Sequence, residues 1–570
     1  MDVTGNTTTS RQHRIGFWMA MAVALAFAPA YAAAAPATSQ ATVSGATRFV
    51  AVAPMRLADT RPGAQQVDFT RISANVIRIG VAQRSGVPQG ATAAILTVTM
   101  VNPIGGGFAS VFPAGSAVPT TSTVNAVTAG QIVANQAHVK LGESGSVDVF
   151  MNTPMDIVVD LFGVFVPTSG PVTAGRLVTL DSPKRALDTR SSQGPLQPRG
   201  TTTIDTSTVG VPQGASAVVV NITAVRAAVG FWTAYAAGTE RPVTSNLNID
   251  EVNQTRAVMA IVALVGGSPS FTVFSQSGGD LVVDVMGWFT GESADASDVG
   301  LFVPADPQRL LDTRQARALA PWAGSTYEVA VGGTPGQVQA VAANITATDP
   351  WDSGFVTTFA AGTQLPNTST LNLDKAPQTI ANQAIVRISP RGLAVYTSTG
   401  THLIVDLAGW YTGAPTAATL ATPVNPTYAP STPQRLQIPR IGLDSAIGLG
   451  NSLTPILDTG IVATWKVGGT LGRPYNLQLL GHRNTYGGVF YNLGALVPGD
   501  TLVIVGSDGH SYLYRVTRID VTTPDLSAVQ DPAFNTGLAT LHLVTCSSSN
   551  GSPNGASHRL VVSARLVHIR

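Results

Sequence analysis

At 570 residues the chain is too long for one hydrophobic core and should divide into several domains. Only 11% of residues are Asp, Glu, Lys or Arg and the formal net charge is +1, which leaves none of the basic patches that nucleic acid would need. Gly (57) and Pro (37) interrupt runs of Val, Thr, Ala, Leu and Ile, the texture of an all-β chain with many turns.

Residues 1–35 read as a signal peptide or signal anchor. Arg11 and Arg14 make a positive start, residues 15–27 an apolar run, and Ala28-Pro-Ala-Tyr-Ala32 offers small residues at A-x-A spacing. Pro29 and the Ala-rich tail favour cleavage near Ala32; residues 15–36 are barely long enough to remain as a membrane anchor. Either outcome places the rest outside the cytoplasm, at the cell surface or cell wall or secreted. An exported chain with a single cysteine, Cys546, forms no internal disulfide. Such a thiol has to be buried or used.

An internal repeat governs the next 370 residues or so. Pro54-Met-Arg56-Leu-Ala-Asp59-Thr60-Arg61 returns as Lys184-Arg185-Ala-Leu-Asp188-Thr189-Arg190 and as Pro307-Gln-Arg309-Leu-Leu-Asp312-Thr313-Arg314. A Thr-Ser-x-x-Asn string ends at Asn125, Asn248 and Asn372, and each copy closes on an acid and a Gly, at Asp160/Gly163, Asp284/Gly287 and Asp406/Gly409. The spacing, near 125 residues, is too long for a solenoid unit and suits an independent β domain. Three β-sandwich or barrel-like domains are expected over 46–167, 173–291 and 299–413. The Asp-Thr-Arg strings could grip a polar ligand, but an internal Arg–carboxylate pair with a turn-fixing Thr is the better reading. These stretches resemble the Asp-Thr-Arg repeat modules of actinobacterial surface proteins and cell-wall enzymes, which implies a surface module; attachment to the cell wall through the repeats is a separate hypothesis. Leu365-Pro-Asn-Thr-Ser369 is similar to a sorting signal, but it lies inside the third copy rather than at a C-terminus before an apolar tail. Residues 414–433, rich in Ala, Thr and Pro, form a semi-extended linker.

From residue 434 the texture changes. Arg435-Leu-Gln-Ile-Pro-Arg-Ile-Gly-Leu443 leads into a new domain, Tyr475-Asn-Leu-Gln-Leu-Leu480 is a strand ending at Gly481-His482, and Asp508-Gly509 marks a hairpin. Ala539-Thr-Leu-His-Leu-Val-Thr545 is a strand running into Cys546, and Arg559-Leu-Val-Val-Ser-Ala-Arg565 closes the domain. His482, Cys546 and Arg559 thus fall at strand ends, which a small barrel can gather on one face. Their chemistry belongs together. A thiolate nucleophile needs a neighbouring cation to lower its pKa. A His can protonate a leaving amine and deprotonate an incoming one. An Arg can hold an oxyanion.

Gly481-His482-Arg483, Gly487-Gly488-Val489-Phe490-x-x-Leu493, Pro498-Gly499-Asp500, Leu543-Val-Thr545-Cys546 and Arg559-Leu-Val-Val562, in that order, resemble a sortase of the actinobacterial class E/F type. The resemblance covers 434–570 and implies a sortase-type β-barrel, with His482, Cys546 and Arg559 catalytic and Thr545 shaping the substrate pocket. It further implies that surface proteins bearing LPXTG-like sorting signals are cleaved after Thr through a thioacyl enzyme. An amine of a peptidoglycan precursor or pilin would then resolve that intermediate. No metal or other cofactor is expected, for no metal motif or acidic cluster is evident.

Papain-like hydrolases place Cys before His, and L,D-transpeptidases carry a Ser-His-Gly-Cys string, so neither fits. Plainer roles are a buried filler for Cys546 and a surface position for His482. His542 reads as the outer face of its strand, His558 as a competitor beside Arg559, and His510 as a turn residue. A second reading of the whole chain is a non-catalytic adhesive protein with a degenerate sortase-like domain and wall-binding repeats.

Overall fold

The structure is a computed structural model that describes residues 43–64, 68–315, 321, 323–332, 337–350, 352–375, 378–423, 431–466, 470–471, 476–524 and 539–569. The expected signal segment lies outside the described residues, as does part of the expected linker. Among the described residues no helix is long and apolar enough to cross a membrane. Regular structure is almost entirely β, as the composition implies.

Three stretches, 47–167, 177–289 and 302–412, each build a pair of antiparallel sheets. In the second, Leu177–Asp188, Asp280–Phe289, Ala217–Ala227 and Gln254–Ala263 lie side by side in that order, over a sheet of Thr201–Asp205, Ser270–Ser275, Gly230–Ala236 and Leu247–Ile249. The other two follow the same order, and the pairing of Thr47 with Phe302 joins their larger sheets into one of eight strands.

The three stretches are not separate beads. Along Ala93–Val101, Leu96, Val98 and Met100 point into their own sandwich while Ala93 and Ile95 join a second core shared by all three stretches. Ala217–Ala227 and Val338–Thr348 divide their side chains the same way. That double burial explains why these strands are apolar on successive residues rather than alternating. Phe49, Phe165, Phe289, Phe302 and Tyr411 fill the shared core, with Phe49–Phe289 and Phe165–Phe302 ring centroids both 4.4 Å apart. Hydrogen bonds close a ring around it. Gln131 Nε2 donates to Asp250 Oδ2 (3.0 Å), the Thr255 N–H to Asp374 Oδ1 (2.9 Å), and Asn344 Nδ2 to the Ser122 carbonyl (2.6 Å). These link first to second, second to third, and third back to first.

The Asp-Thr-Arg strings are internal fastenings. Arg56, Arg185 and Arg309 each grip the buried closing acid, Asp160, Asp284 and Asp406, at 2.8, 2.9 and 2.8 Å. Thr60, Thr189 and Thr313 accept the N–H of Ile157, Leu281 and Leu403. The Leu365–Ser369 string is part of an equally recurrent turn. The Thr368 carbonyl accepts from the Thr357 hydroxyl, as Thr244 does from Thr233 and Thr121 from Ser110.

Residues from 433 onward form a closed eight-stranded barrel. Its strands are Pro433–Ile438, Leu443–Gly450, Val462–Trp465, Asn476–Leu480, Thr540–Ser547, His558–Ile569, Ser511–Thr522 and Thr501–Gly506, in that order around the wall. Closure leaves no free edge. Leu436, Leu479, Phe490, Leu541, Leu543, Tyr512 and Val562 are among the side chains that fill it. The hairpin expected at Asp508-Gly509 is present, with Val505 opposite Ser511 and Gly509 at φ +79°. The barrel touches the third stretch through Arg565 and Asp349 (3.0 Å).

Candidate active site

The site is set by the register of three neighbouring strands. Asn476–Leu480 and Thr540–Ser547 run parallel, with Leu480 opposite Val544, and the Gly481 N–H donates to the Val544 carbonyl (3.3 Å). Two residues past that pair stand His482 and Cys546, at the same end of the barrel. On the other side His558–Ile569 runs antiparallel and sets Arg559 directly opposite Cys546. Cys546 thus lies within its strand, one residue before its end, rather than just beyond it.

Alternation along the strand decides which way each group faces. Leu541 and Leu543 enter the barrel core, while Val544 packs outside it with Val561 and Leu480. Cys546 has the parity of Val544, and Arg559 that of Val561. Both therefore belong to the outer wall, where each is partly exposed. Thr545 has the opposite parity. It is buried, and its hydroxyl donates to the Gly481 carbonyl at 2.7 Å, tying the ends of the two parallel strands together.

The loop after Gly481 is packed closely. A Cβ on Gly481 would stand 2.6 Å from the ring of the buried Phe490, so only glycine lets the strand end pass. The Phe490 N–H donates back to the His482 carbonyl (2.9 Å), which ties the glycine-rich string to the His backbone. His482 keeps about a quarter of its side chain exposed. Its Nε2 lies 3.2 Å from Asp458 Oδ1, and its ring is 5.0 Å from that of Tyr486. Asp458 follows the single turn Thr454–Leu457 and gave no signal in the sequence, because 24 residues separate it from His482. Arg559 Nη1 donates to the carbonyls of Ala556 (3.1 Å) and His558 (2.9 Å).

Arg483 carried no role in the sequence beyond its place in the string. The structure buries it, with Nη1 donating to the Cys546 carbonyl at 3.3 Å. Burial pulls its guanidinium below the ordinary Arg range, and the charges of Cys546 and Tyr491 oppose that shift.

His542 stands on the outer wall as its alternation implied, but it is covered. Its Nδ1 is 3.1 Å from Ser563 Oγ, and burial pushes its pKa down to about 4. His558 pairs with Ser547 and has the opposite parity to Arg559, so it does not share the Cys546 face. His510 lies in the turn, 3.2 Å from Asp508. Among the described residues no three His, Cys, Asp or Glu side chains gather to hold a metal ion.

A closed barrel with cysteine, arginine and histidine at adjacent strand ends defines a class of thiol-bearing β-barrel. Residues 436–567 match the family model described as Sortase domain. Among solved structures, the chain is similar to the SrtA sortase from Actinomyces oris (23% identity, TM-score 0.22, covering 26% of this chain and 88% of that one). It is similar also to sortase E1 from Streptomyces coelicolor, solved with a tripeptide in its active site (28% identity, TM-score 0.21, covering 24% and 90%). A third is sortase C1 from Streptococcus agalactiae (24% identity, TM-score 0.20, covering 24% and 66%). No curated protein matches the chain.

Proposed function

We propose that the chain is an exported sortase of the class E/F type, a cysteine transpeptidase acting on LPXTG-like sorting signals. The observation that carries the reading is the register that sets Arg559 opposite Cys546, with His482 at the end of the adjoining parallel strand. The Cys546 thiolate attacks the carbonyl carbon of the signal's Thr, and the C–N bond from that carbon to the following residue breaks as protonated His482 gives its proton to the leaving amine. Arg559 steadies the oxyanion of the tetrahedral intermediate, where one such donor contributes roughly 3–4 kcal/mol. An incoming amine, from a peptidoglycan precursor or a pilin Lys, then gives a proton to His482 and attacks the thioester, expelling the Cys546 thiolate and restoring protonated His482. Thr545 shapes the pocket from beneath, by holding the two strand ends at their spacing. Stretches 46–167, 173–291 and 299–413 are copies of one surface module, and they hold the enzyme at the cell wall.

The test uses the full chain and panels of Leu-Pro-x-Thr-Gly and Leu-Ala-x-Thr-Gly peptides. Mass spectrometry should find an acyl adduct on Cys546 and amine-exchanged product, both absent in Cys546→Ala. No adduct with any peptide would sink the reading and favour a binding protein.

A further inference from the structure

Arg483 is an odd residue to bury. It is 3% exposed, and no carboxylate among the described residues pairs with it. Its Nε meets no acceptor among them, while its Nη1 reaches the backbone carbonyl of Cys546. Arg56, Arg256 and Arg309 are each matched to an aspartate, and Arg176, also buried, meets three backbone carbonyls with all of its guanidinium nitrogens, whereas Arg483 leaves its Nε without one. An arginine stays cationic even when desolvated, so burial without a counter-ion is costly unless an anion forms nearby. The fold reserves room for it as well: a Cβ on Gly494 would stand 2.9 Å from Arg483 Nη2.

We propose that Arg483 is a positioning residue for the transfer reaction: it anchors the Cys546 backbone and supplies the fixed positive charge that favours the Cys546 thiolate. The proposal rests on the reading of Cys546 as the nucleophile. The other charged or titratable groups around Cys546 are Arg559 opposite it on the closing strand, His558 on that strand's other face, His482 with Asp458 and Tyr486 against it on the loop side, and Tyr491 near Arg483. Arg559 and His482 are both partly open to water, which screens their charge. Arg483 is not. It is the cation in the group whose field solvent dilutes least.

Cys546 is the chain's single cysteine, so alkylation of the full chain by iodoacetamide reports on this thiol alone. The rate is followed from pH 5 to about 10 by mass spectrometry for the wild type, Arg483→Met and Arg483→Lys. The midpoint should rise by about one unit or more in Arg483→Met, the scale of an opposite charge a few ångströms away. Arg483→Lys, which restores the charge, should recover most of the shift. A purely structural role would alter the plateau rate and leave the midpoint in place. A midpoint that stays within a few tenths of a unit in Arg483→Met overturns the proposal. Should Arg483→Met fail to fold, Arg483→Gln serves instead: it removes the charge and keeps an amide donor for the Cys546 carbonyl, and an unmoved midpoint there counts equally against. The profile needs no peptide, so it separates the two claims. Peptide adducts without a shift overturn the role of Arg483 alone, whereas a shift without adducts upholds the charge and removes the transfer.

Discussion

The repeat-like region and the barrel both bury arginine, and they treat it differently. In residues 47–412 Arg56, Arg185 and Arg309 each bind a buried aspartate through two nitrogens, and the buried Arg176 is satisfied by three backbone carbonyls. In the barrel the buried Arg483 meets a backbone carbonyl and the neighbourhood of a thiol. A matched pair fixes a shape and needs nothing more. A buried cation without a carboxylate is strained electrostatically and is relieved only when a negative charge appears beside it. A scaffold satisfies its buried cations fully, with carboxylates or carbonyls, and a partly satisfied one belongs where chemistry generates an anion.

This contrast can be broken in order of expected effect. His482→Ala should lower transpeptidation by roughly 10²–10⁴-fold, measured as amine-exchanged peptide, with no change in melting, because His482 is partly exposed. Arg56→Ala should do the reverse. It leaves Asp160 buried and unpaired, costing about 3–5 kcal/mol by denaturant titration, while the Cys546 alkylation profile stays where it was. A large change in that profile would show that the two regions are not separable in this way.

The buried histidines sharpen the comparison on the pH axis. Burial holds the pKa of His138 down to about 3, and those of His402 and His542 to about 4, against 6.5 for an unfolded imidazole. The unfolded chain therefore takes up protons that the folded one refuses. Stability is whole above pH 6.5 and falls as the pH drops toward 4, by on the order of 1.4 kcal/mol per pH unit for each such histidine. His138→Gln should flatten that slope for the repeat-like region, and His542→Gln for the barrel, in denaturant titrations at pH 7 and pH 5. The smallest expected effect is that of Thr545→Val. Losing the bond to the Gly481 carbonyl should cost about 1–2 kcal/mol and slow transfer by loosening the two strand ends.

Much of this was legible in the linear chain because the signals are local. The alternating and apolar runs gave the strands, Asp508-Gly509 gave its hairpin, and the string around Cys546 resembled the family that its region matches. The closing acids Asp160, Asp284 and Asp406 could be read as partners of an arginine from their recurrence alone. Which aspartate pairs with which arginine could not, and neither could the depth at which His542 is covered.

Each of the three stretches keeps a core of its own, and they also pack on one another for a physical reason. A strand apolar on successive residues has two buried faces, and the sequence does not say what covers the second. Here it is the other two stretches, through a core of Phe49, Phe165, Phe289, Phe302 and Tyr411. Asp458 and Arg483 were missed at the site for the same kind of reason. What the sequence by itself determined was the inventory: an all-β chain, a recurring motif, one thiol, and a His, Cys and Arg in the order of a known family. Only the tertiary structure decided how those parts meet, because register, strand parity and closure are set by long-range packing. It placed Arg559 across from Cys546, turned Thr545 inward, and left Arg483 as a buried cation on the Cys546 carbonyl.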